Sequence, residues 1–227
     1  MGTGEQLALL RKTYGPVKPA EPRDPFELIV WENAGYLVDD ERRTAVFESL
    51  RRAVGVTPLQ IVAAGSQKIE AAIEGGGMQP AHRAAKVMRC AEIALELAGG
   101  NLASSLKTLP VKKARALLKR FPGIGDPGAA KILLLCGFDD QPALESNGLR
   151  VLGRVGAIAE NDNYTAMYRE GIACLDAIGV RGKAAIDAFM LLRAHGRDLC
   201  KRNGPLCAVC PLASSCRYAV AATSRLR

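Results

Sequence analysis

The sequence predicts an all-α protein, and three observations carry that prediction. Strand signals are scarce: the period-2 alternation of Val, Ile and aromatic residues is almost missing, and aromatic residues make up only 5% of the chain. Apolar residues recur at helical spacing, as at Val87, Cys90, Ile93, Ala94 and Leu97. Helix starts and stops are punctuated, with Asp24-Pro25 as cap and first helical residue at one start and three glycines at 75–77 as a stop. At 227 residues the chain has room for one domain or two closely joined lobes.

The elements follow in order. The first 23 residues carry Pro16, Pro19 and Pro22 and read as an arm laid across the body. After Asp24-Pro25 the run FELIVWENAGYL is helical, followed by ERRTAVFESLRRAVG, TPLQIVAAG and the short IEAAIEGGG. HRAAKVMRCAEIALELAGG, LASSLKTLP, VKKARALLKRF and DPGAAKILLLCG complete a series of short helices with tight links, which makes a compact bundle rather than a coiled coil or repeat array. From Phe138 the chain runs through FDDQPALESNGLRVLGRVG and further helical segments to a group of cysteines, and AATSRLR at the end reads as a frayed basic tail.

Composition excludes several classes. With 48% apolar residues the chain is no disordered tail, and no apolar run reaches the roughly 18 residues of a membrane span. The start MGTGEQLALLRKTYG lacks a secretory apolar core and cleavage site, so a cytoplasmic, membrane-free protein is expected. Lys and Arg number 31 against 23 Asp and Glu, a net charge of +8 that suits a polyanion partner without proving one. Seven cysteines in a reducing compartment do not make a disulfide framework.

Two segments carry chemistry. In FPGIGDPGAAKILLLCG a helix ends against Pro122 and Gly123-Ile124-Gly125 turns sharply, with φ freedom at both glycines. Asp126 is expected as N-cap, Pro127 as first helical residue and Gly137 as C′ stop. A Gly-x-Gly turn at a helix N-terminus turns backbone N–H groups outward and suits a phosphate, although the same turn also serves plain helix–helix links. The second segment has the spacing Cys200-x6-Cys207-x2-Cys210-x5-Cys216. Paired zinc knuckles would need a second Cys-x2-Cys, and four thiolates within 17 residues suit a 4Fe–4S cube. Soft thiolates alone do not separate the two metals.

With His195-Gly196-Arg197 leading the first cysteine, this loop is similar to the C-terminal iron–sulfur loop of endonuclease III and its adenine-glycosylase relative, and the 121–137 segment resembles the family's helix-hairpin-helix. The resemblance covers the chain from about Asp24 to Cys216. It implies the two-lobed helical HhH-GPD DNA glycosylase fold: a lobe over 24–137 ending in the hairpin (about 111–137), and a second lobe from 1–23 with 138–227, holding the cluster loop 200–216. It implies a 4Fe–4S cofactor on Cys200, Cys207, Cys210 and Cys216, mainly structural, with Lys201, Arg202 and Arg217 facing DNA. Cys90, Cys136 and Cys174 read as core.

The implied reaction breaks the N-glycosidic bond of a flipped-out base through an oxocarbenium-like transition state, which an anion beside the sugar stabilises. Register set by Leu149-Arg150-Val151 puts Glu145 where the family has Asp, one methylene longer. Ser146 and Asn147 follow it, to cap the next helix or hold the carboxylate and water. Where bifunctional members carry the Schiff-base lysine, this chain has Pro127, which has no free amine. Lys131, one turn later, is the remaining amine on roughly that face, and the resemblance points to a monofunctional hydrolysis. Glu32, counted from Pro25, falls at the adenine branch's general acid, where an apolar surround would raise its pKa. Either carboxylate read without the family is a surface Glu.

Gly123, Ile124, Gly125 and Gly128 are the implied hairpin contacts to DNA, weakened by the like charge of Asp126. Met78 and Gln79 end the wedge loop, and Asn33, Tyr36 and Leu37 line the lesion pocket or fill the vacated stack. The implied partner is double-stranded DNA with a damaged or mismatched base, bound by a monomer, nucleoid-associated if the source is bacterial. The adenine branch adds a domain for oxidised guanine, and a chain that stops soon after Cys216 is read against that specialist. A damage- or structure-specific DNA-binding paralogue with little glycosylase activity, and a structural zinc protein, are the competing readings.

Overall fold

The computed structural model describes residues 1–224. The described residues form twelve α-helices with three one-turn 3-10 segments, and they contain no β-strand beyond an isolated bridge between Tyr36 and Gly77. No helix is long and apolar enough to cross a membrane. The chain divides into two compact units, one of Pro19–Phe138 and one of Met1–Lys18 with the chain from Asp139 onward.

The 19–138 unit is built around α2 (Pro25–Ala34). Asp24 caps it by accepting from the Phe26 and Glu27 amides, and Pro25 stands at the first helical position. Phe26, Leu28, Ile29, Val30, Trp31 and Ala34 are all buried, so this helix is apolar nearly all round, as a central helix must be. Against it pack α3 (Asp40–Ala53), α5 (Pro80–Ala98), α6 (Leu102–Thr108) and α8 (Asp126–Leu135), while α4 (Pro58–Ile73) lies on α3 and α5 and α7 (Val111–Leu118) on α8. The two sequence runs TPLQIVAAG and IEAAIEGGG fuse into α4 across a break at Gly65, whose φ is 77°.

In the other unit α11 (Gly182–Asp198) is the hub, packed by α9 (Ser146–Val155) and α1 (Thr3–Tyr14), with α10 (Tyr164–Ala177) and α12 (Arg217–Ser224) against α9. The first residues are therefore not an extended arm. Thr3–Tyr14 is a helix that buries Gln6 and Leu10, and only the stretch after Gly15 is irregular. Pro16, Pro19 and Pro22 bar helix in their own stretch and do nothing to the run ahead of it. The C-terminal AATS likewise continues α12, and 225–227 of the expected tail lie outside the described residues.

Candidate active site

A cavity of about 330 Å³ opens in the 19–138 unit, lined by Glu32, Tyr36, Met78, Gln79, His82 and Lys86 among others. Asn33 and, from the hairpin, Gly123 also reach it, so six residues expected at the site meet here. Tyr36 is half exposed and is not core. Leu37 is exposed beside it, while Asn33 is committed to structure: its Nδ2 donates to the Ile29 and Pro122 carbonyls, each at 3.0 Å. Sequence reading missed His82 and Lys86, which stand at i and i+4 on α5 and so share a face.

Glu32 does not sit in an apolar surround. Lys131 Nζ donates to its Oε1, and Arg43 Nη1 lies 3.9 Å from its Oε2. Both cations also face the buried Trp31 ring, Arg43 at 4.9 Å and Lys131 at 5.6 Å from its centroid. An ammonium and a guanidinium are thus the immediate neighbours of this carboxylate, and Lys131 is itself buried.

The hairpin turns at Gly123, whose φ is +77°, whereas Gly125 has φ −91° and needs no glycine for its dihedrals. A Cβ on Gly123 would stand 2.8 Å from Asn33 Oδ1. Gly125, not Asp126, is the N-cap of α8; Asp126 is its first residue and Pro127 follows. The Asp126 carboxylate turns to Lys119 Nζ at 2.9 Å instead of capping. The Gly125, Asp126 and Gly128 amides precede the first bond of α8, from Ala129 N–H to Gly125 O at 2.9 Å. Ile124 is buried and anchors the turn.

In the other unit Glu145 is the N-cap of α9. Its Oε1 accepts the Gly148 N–H and its Oε2 accepts Asn147 Nδ2, each at 3.0 Å. Asn147 is in turn held by Arg150 Nη2, which donates to its Oδ1 at 2.6 Å and to the Gly196 carbonyl at 2.8 Å. Ser146 is exposed at the head of the helix. Tyr164 was not legible in the sequence: burial, and then the Glu145 charge, push its phenol up, which places it in the field of that carboxylate.

Cys200, Cys207, Cys210 and Cys216 line one cavity with Leu199, Leu206, Leu212 and Tyr218. Arg150 Nε donates to the Cys200 carbonyl, and Arg154 Nη1 lies 3.6 Å from Cys200 Sγ. Arg154 also holds the Lys201 and Arg202 carbonyls, which leaves those two side chains exposed. His195 Nε2 stands 3.6 Å from Cys210 Sγ, and the Tyr14 hydroxyl lies 3.1 Å from Nδ1. Burial lowers the His195 pKa to about 4, so the ring is neutral. Burial raises the Cys200 and Cys210 thiols, so holding them as thiolates calls for positive charge inside the cavity. Among the described residues no three His, Cys, Asp or Glu side chains are gathered for a single metal ion.

No protein-family model matches the chain. It is 27% identical over 180 residues to an endonuclease III of Sulfolobus acidocaldarius, covering 79% of this chain and 75% of that one. It is 26% identical over 160 residues to a thymine/uracil-DNA glycosylase of Pyrobaculum aerophilum, covering 70% and 65%. Its fold matches an endonuclease III–DNA covalent intermediate over the full length of both chains, with a TM-score of 0.79 at 22% identity. A thermostable thymine-DNA glycosylase matches over 95% of this chain and 93% of that one, at TM-score 0.74 and 17% identity. By distant relatives in sequence and by its fold over the full length, the chain aligns with the endonuclease III, or helix-hairpin-helix, family of base-excision DNA glycosylases.

Proposed function

We propose that this family member is a monofunctional DNA glycosylase that flips a damaged or mismatched base from double-stranded DNA and hydrolyses its N-glycosidic bond. The observation that carries the reading is Glu145. Its carboxylate is fixed by two donors at the N-terminus of α9, which leaves it oriented as an anion with lone pairs to spare. Such a fixed anion favours the positive charge that develops on the sugar as the base departs. Water then bonds to C1′ as the C1′–N bond breaks; one water proton leaves to the carboxylate or solvent, and the base departs with the bonding pair.

The cavity at Glu32 receives the base. Gly123, Ile124, Gly125 and Gly128 hold the backbone, and Met78, Gln79 and Tyr36 enter the stack. Ser146 and Asn147 attend the sugar, while Lys201 and Arg202 meet phosphates. Pro127 offers no amine, and Lys131 is held by Glu32, so neither the family's lysine position nor the amine one turn later is free to form a Schiff base. Paired with Lys131 and Arg43, Glu32 serves as a fixed acceptor for the base rather than as a proton donor.

Four cysteines around a shared cavity, with Arg154 beside Cys200 and His195 beside Cys210, supply the set of thiolates that a 4Fe–4S cluster takes. A 4Fe–4S cluster bound there would cross-link the 200–216 loop and supply the positive charge its thiolates need. Iron and acid-labile sulfide in the purified protein support this assignment, and stoichiometric zinc overturns it. We place the enzyme in the cytoplasm as a monomer.

The deciding experiment is a single-turnover lesion panel, each sample split for alkali treatment, with Glu145→Gln beside wild type. Uracil and thymine mispairs head the panel, since a relative is named for them. Strand breakage only after alkali and only with wild type supports the reading. Breakage without alkali refutes the monofunctional mechanism, and tight binding without any cleavage favours a damage-binding paralogue.

A further inference from the structure

We propose that Arg83 is the positioning residue of the DNA-facing loops: it locks Tyr36 and Met78 into a rigid pair of prongs before DNA arrives. The inference rests on the DNA-binding reading above and extends it to a buried residue in the wall of the Glu32 cavity.

Arg83 is 3% exposed, and no carboxylate is among its partners. Its guanidinium donates instead to five backbone carbonyls. Nε reaches Met78 at 2.9 Å; Nη1 reaches Ala34 and, at 2.8 Å, Ile73; Nη2 reaches Glu74 at 3.3 Å and Gly77 at 3.0 Å. One side chain therefore ties the last turn of α2 and the last turn of α4 to the glycine-rich loop, with its whole donor set spent. Carbonyls at helix C-termini carry partial negative charge, which is why a cation is tolerated there without an acid.

What this clamp orders is exposed rather than buried: Tyr36 is 50%, Leu37 76% and Met78 61% exposed. The Tyr36 N–H donates to Gly76 O at 2.8 Å, which joins the two segments directly. A Cβ on Gly76 would strike Ala34 O and Arg83 Nη1, and one on Gly77 would strike Tyr36 O, so the join closes only through glycine. Among the described residues the non-glycine positions with positive φ are Leu37 at 55° and Gln79 at 56°, one beside each prong. Strain of that kind persists only where the surroundings over-determine it, and here the surroundings converge on Arg83. A buried cation, two strained residues and two obligatory glycines that hold apolar side chains in solvent make sense for a wedge that must not fold away.

The test uses the whole chain and a duplex with a tetrahydrofuran abasic-site analogue beside 2-aminopurine. Wild type is expected to prefer this duplex over intact DNA and to raise the 2-aminopurine fluorescence by unstacking it. Arg83→Lys keeps the charge but replaces a planar five-donor fork by one ammonium. It should melt cooperatively and keep its affinity for intact duplex. Its preference for the abasic duplex should fall about tenfold, the scale of a loosened charge-assisted clamp, with most of the fluorescence change gone.

In a Tyr36→Ala/Met78→Ala background Arg83→Lys should cost nothing further, because its effect travels through those prongs. Unchanged preference in Arg83→Lys, or an equal further loss in the prongless background, overturns the proposal. Should Arg83→Lys fail to fold, amide exchange at Tyr36 in DNA-free wild type decides: protection supports the clamp, and exchange at open-loop rates overturns it. Wild type without preference for the abasic duplex removes the DNA-binding reading and this role together, whereas wild-type preference retained by Arg83→Lys removes this role alone.

Discussion

Gly196 offers the sharpest test of how the carboxylate is held. It lies near the end of α11, where a Cβ would stand 2.7 Å from both Asn147 Cβ and Asn147 O. Ordinary carbon contacts need about 3.5 Å or more, so Gly196→Ala must push the first turn of α9 away by something approaching 1 Å. Two effects oppose each other in the stability. Ala in place of a helical Gly gains about 1 kcal/mol of propensity, and overpacking against backbone costs about 1–3 kcal/mol. Backbone yields less readily than side chain, so the net is a loss of about 1–2 kcal/mol, roughly 2–8 °C in melting temperature for a chain of this size. The same push moves Asn147, and through it Glu145, for which a displacement near 1 Å costs about 10²-fold in rate. Calorimetry and single-turnover base release read the two separately. A Gly196→Ala protein that melts higher than wild type and keeps its rate would show that α9 and α11 do not approach as described, and the account of Glu145 positioning would fall with it.

Other outcomes follow from the same geometry. Lys131→Met strips Glu32 of its nearer partner and should lower stability by about 2 kcal/mol; adding Glu32→Gln should restore most of it, as a thermal double-mutant cycle would record. Borohydride should trap no DNA adduct in wild type, and an adduct abolished by Lys131→Met would refute the monofunctional reading. Cys90 and Cys136 have thiols pushed by burial from 9.0 to about 12, so iodoacetamide at pH 8 should modify them about a thousandfold more slowly than an exposed thiol. With folded values above the unfolded one, the stability they contribute is complete below about pH 9 and is lost as pH rises through about 12; a denaturation series that is flat across that window contradicts it.

Local punctuation made the hairpin and the cysteine loop legible, because glycines, prolines and cysteine spacing act within a few residues of themselves. What failed were the features set by a distant neighbour. Asp126 is a good cap by residue type, yet Lys119 takes its carboxylate and the cap shifts to Gly125. Glu32 looked apolar in its surroundings because Trp31 precedes it, while its real neighbours, Arg43 and Lys131, come from α3 and α8. Arg83 reads in sequence as one more cation on a helix; only the convergence of α2, α4 and the glycine loop on its head marks it out. His82 and Lys86 had the right i, i+4 spacing, but spacing fixes which residues share a face and not which face meets the cavity.

In the proposed mechanism the chemistry turns on Glu145, and Glu145→Asp separates an adapted site from an impaired one. Asp is among the preferred N-caps and Glu is not, so the shorter side chain should cap α9 at least as well, within a few tenths of a kcal/mol or better. It cannot also keep the present contact with Asn147 Nδ2, because its oxygens draw back toward the backbone by about 1 Å, the length added by one methylene. Asn147 is pinned from behind by Arg150 at 2.6 Å and does not follow. If the surroundings are built for the longer side chain, Glu145→Asp lowers the rate about 10²-fold while the melting temperature holds or rises. That is the expected result, since Asn147, Arg150 and the Gly148 amide together fit the Glu as it stands. A rate that climbs on shortening would mean that the extra methylene is a handicap, and that the chain binds damaged DNA more than it cuts the glycosidic bond.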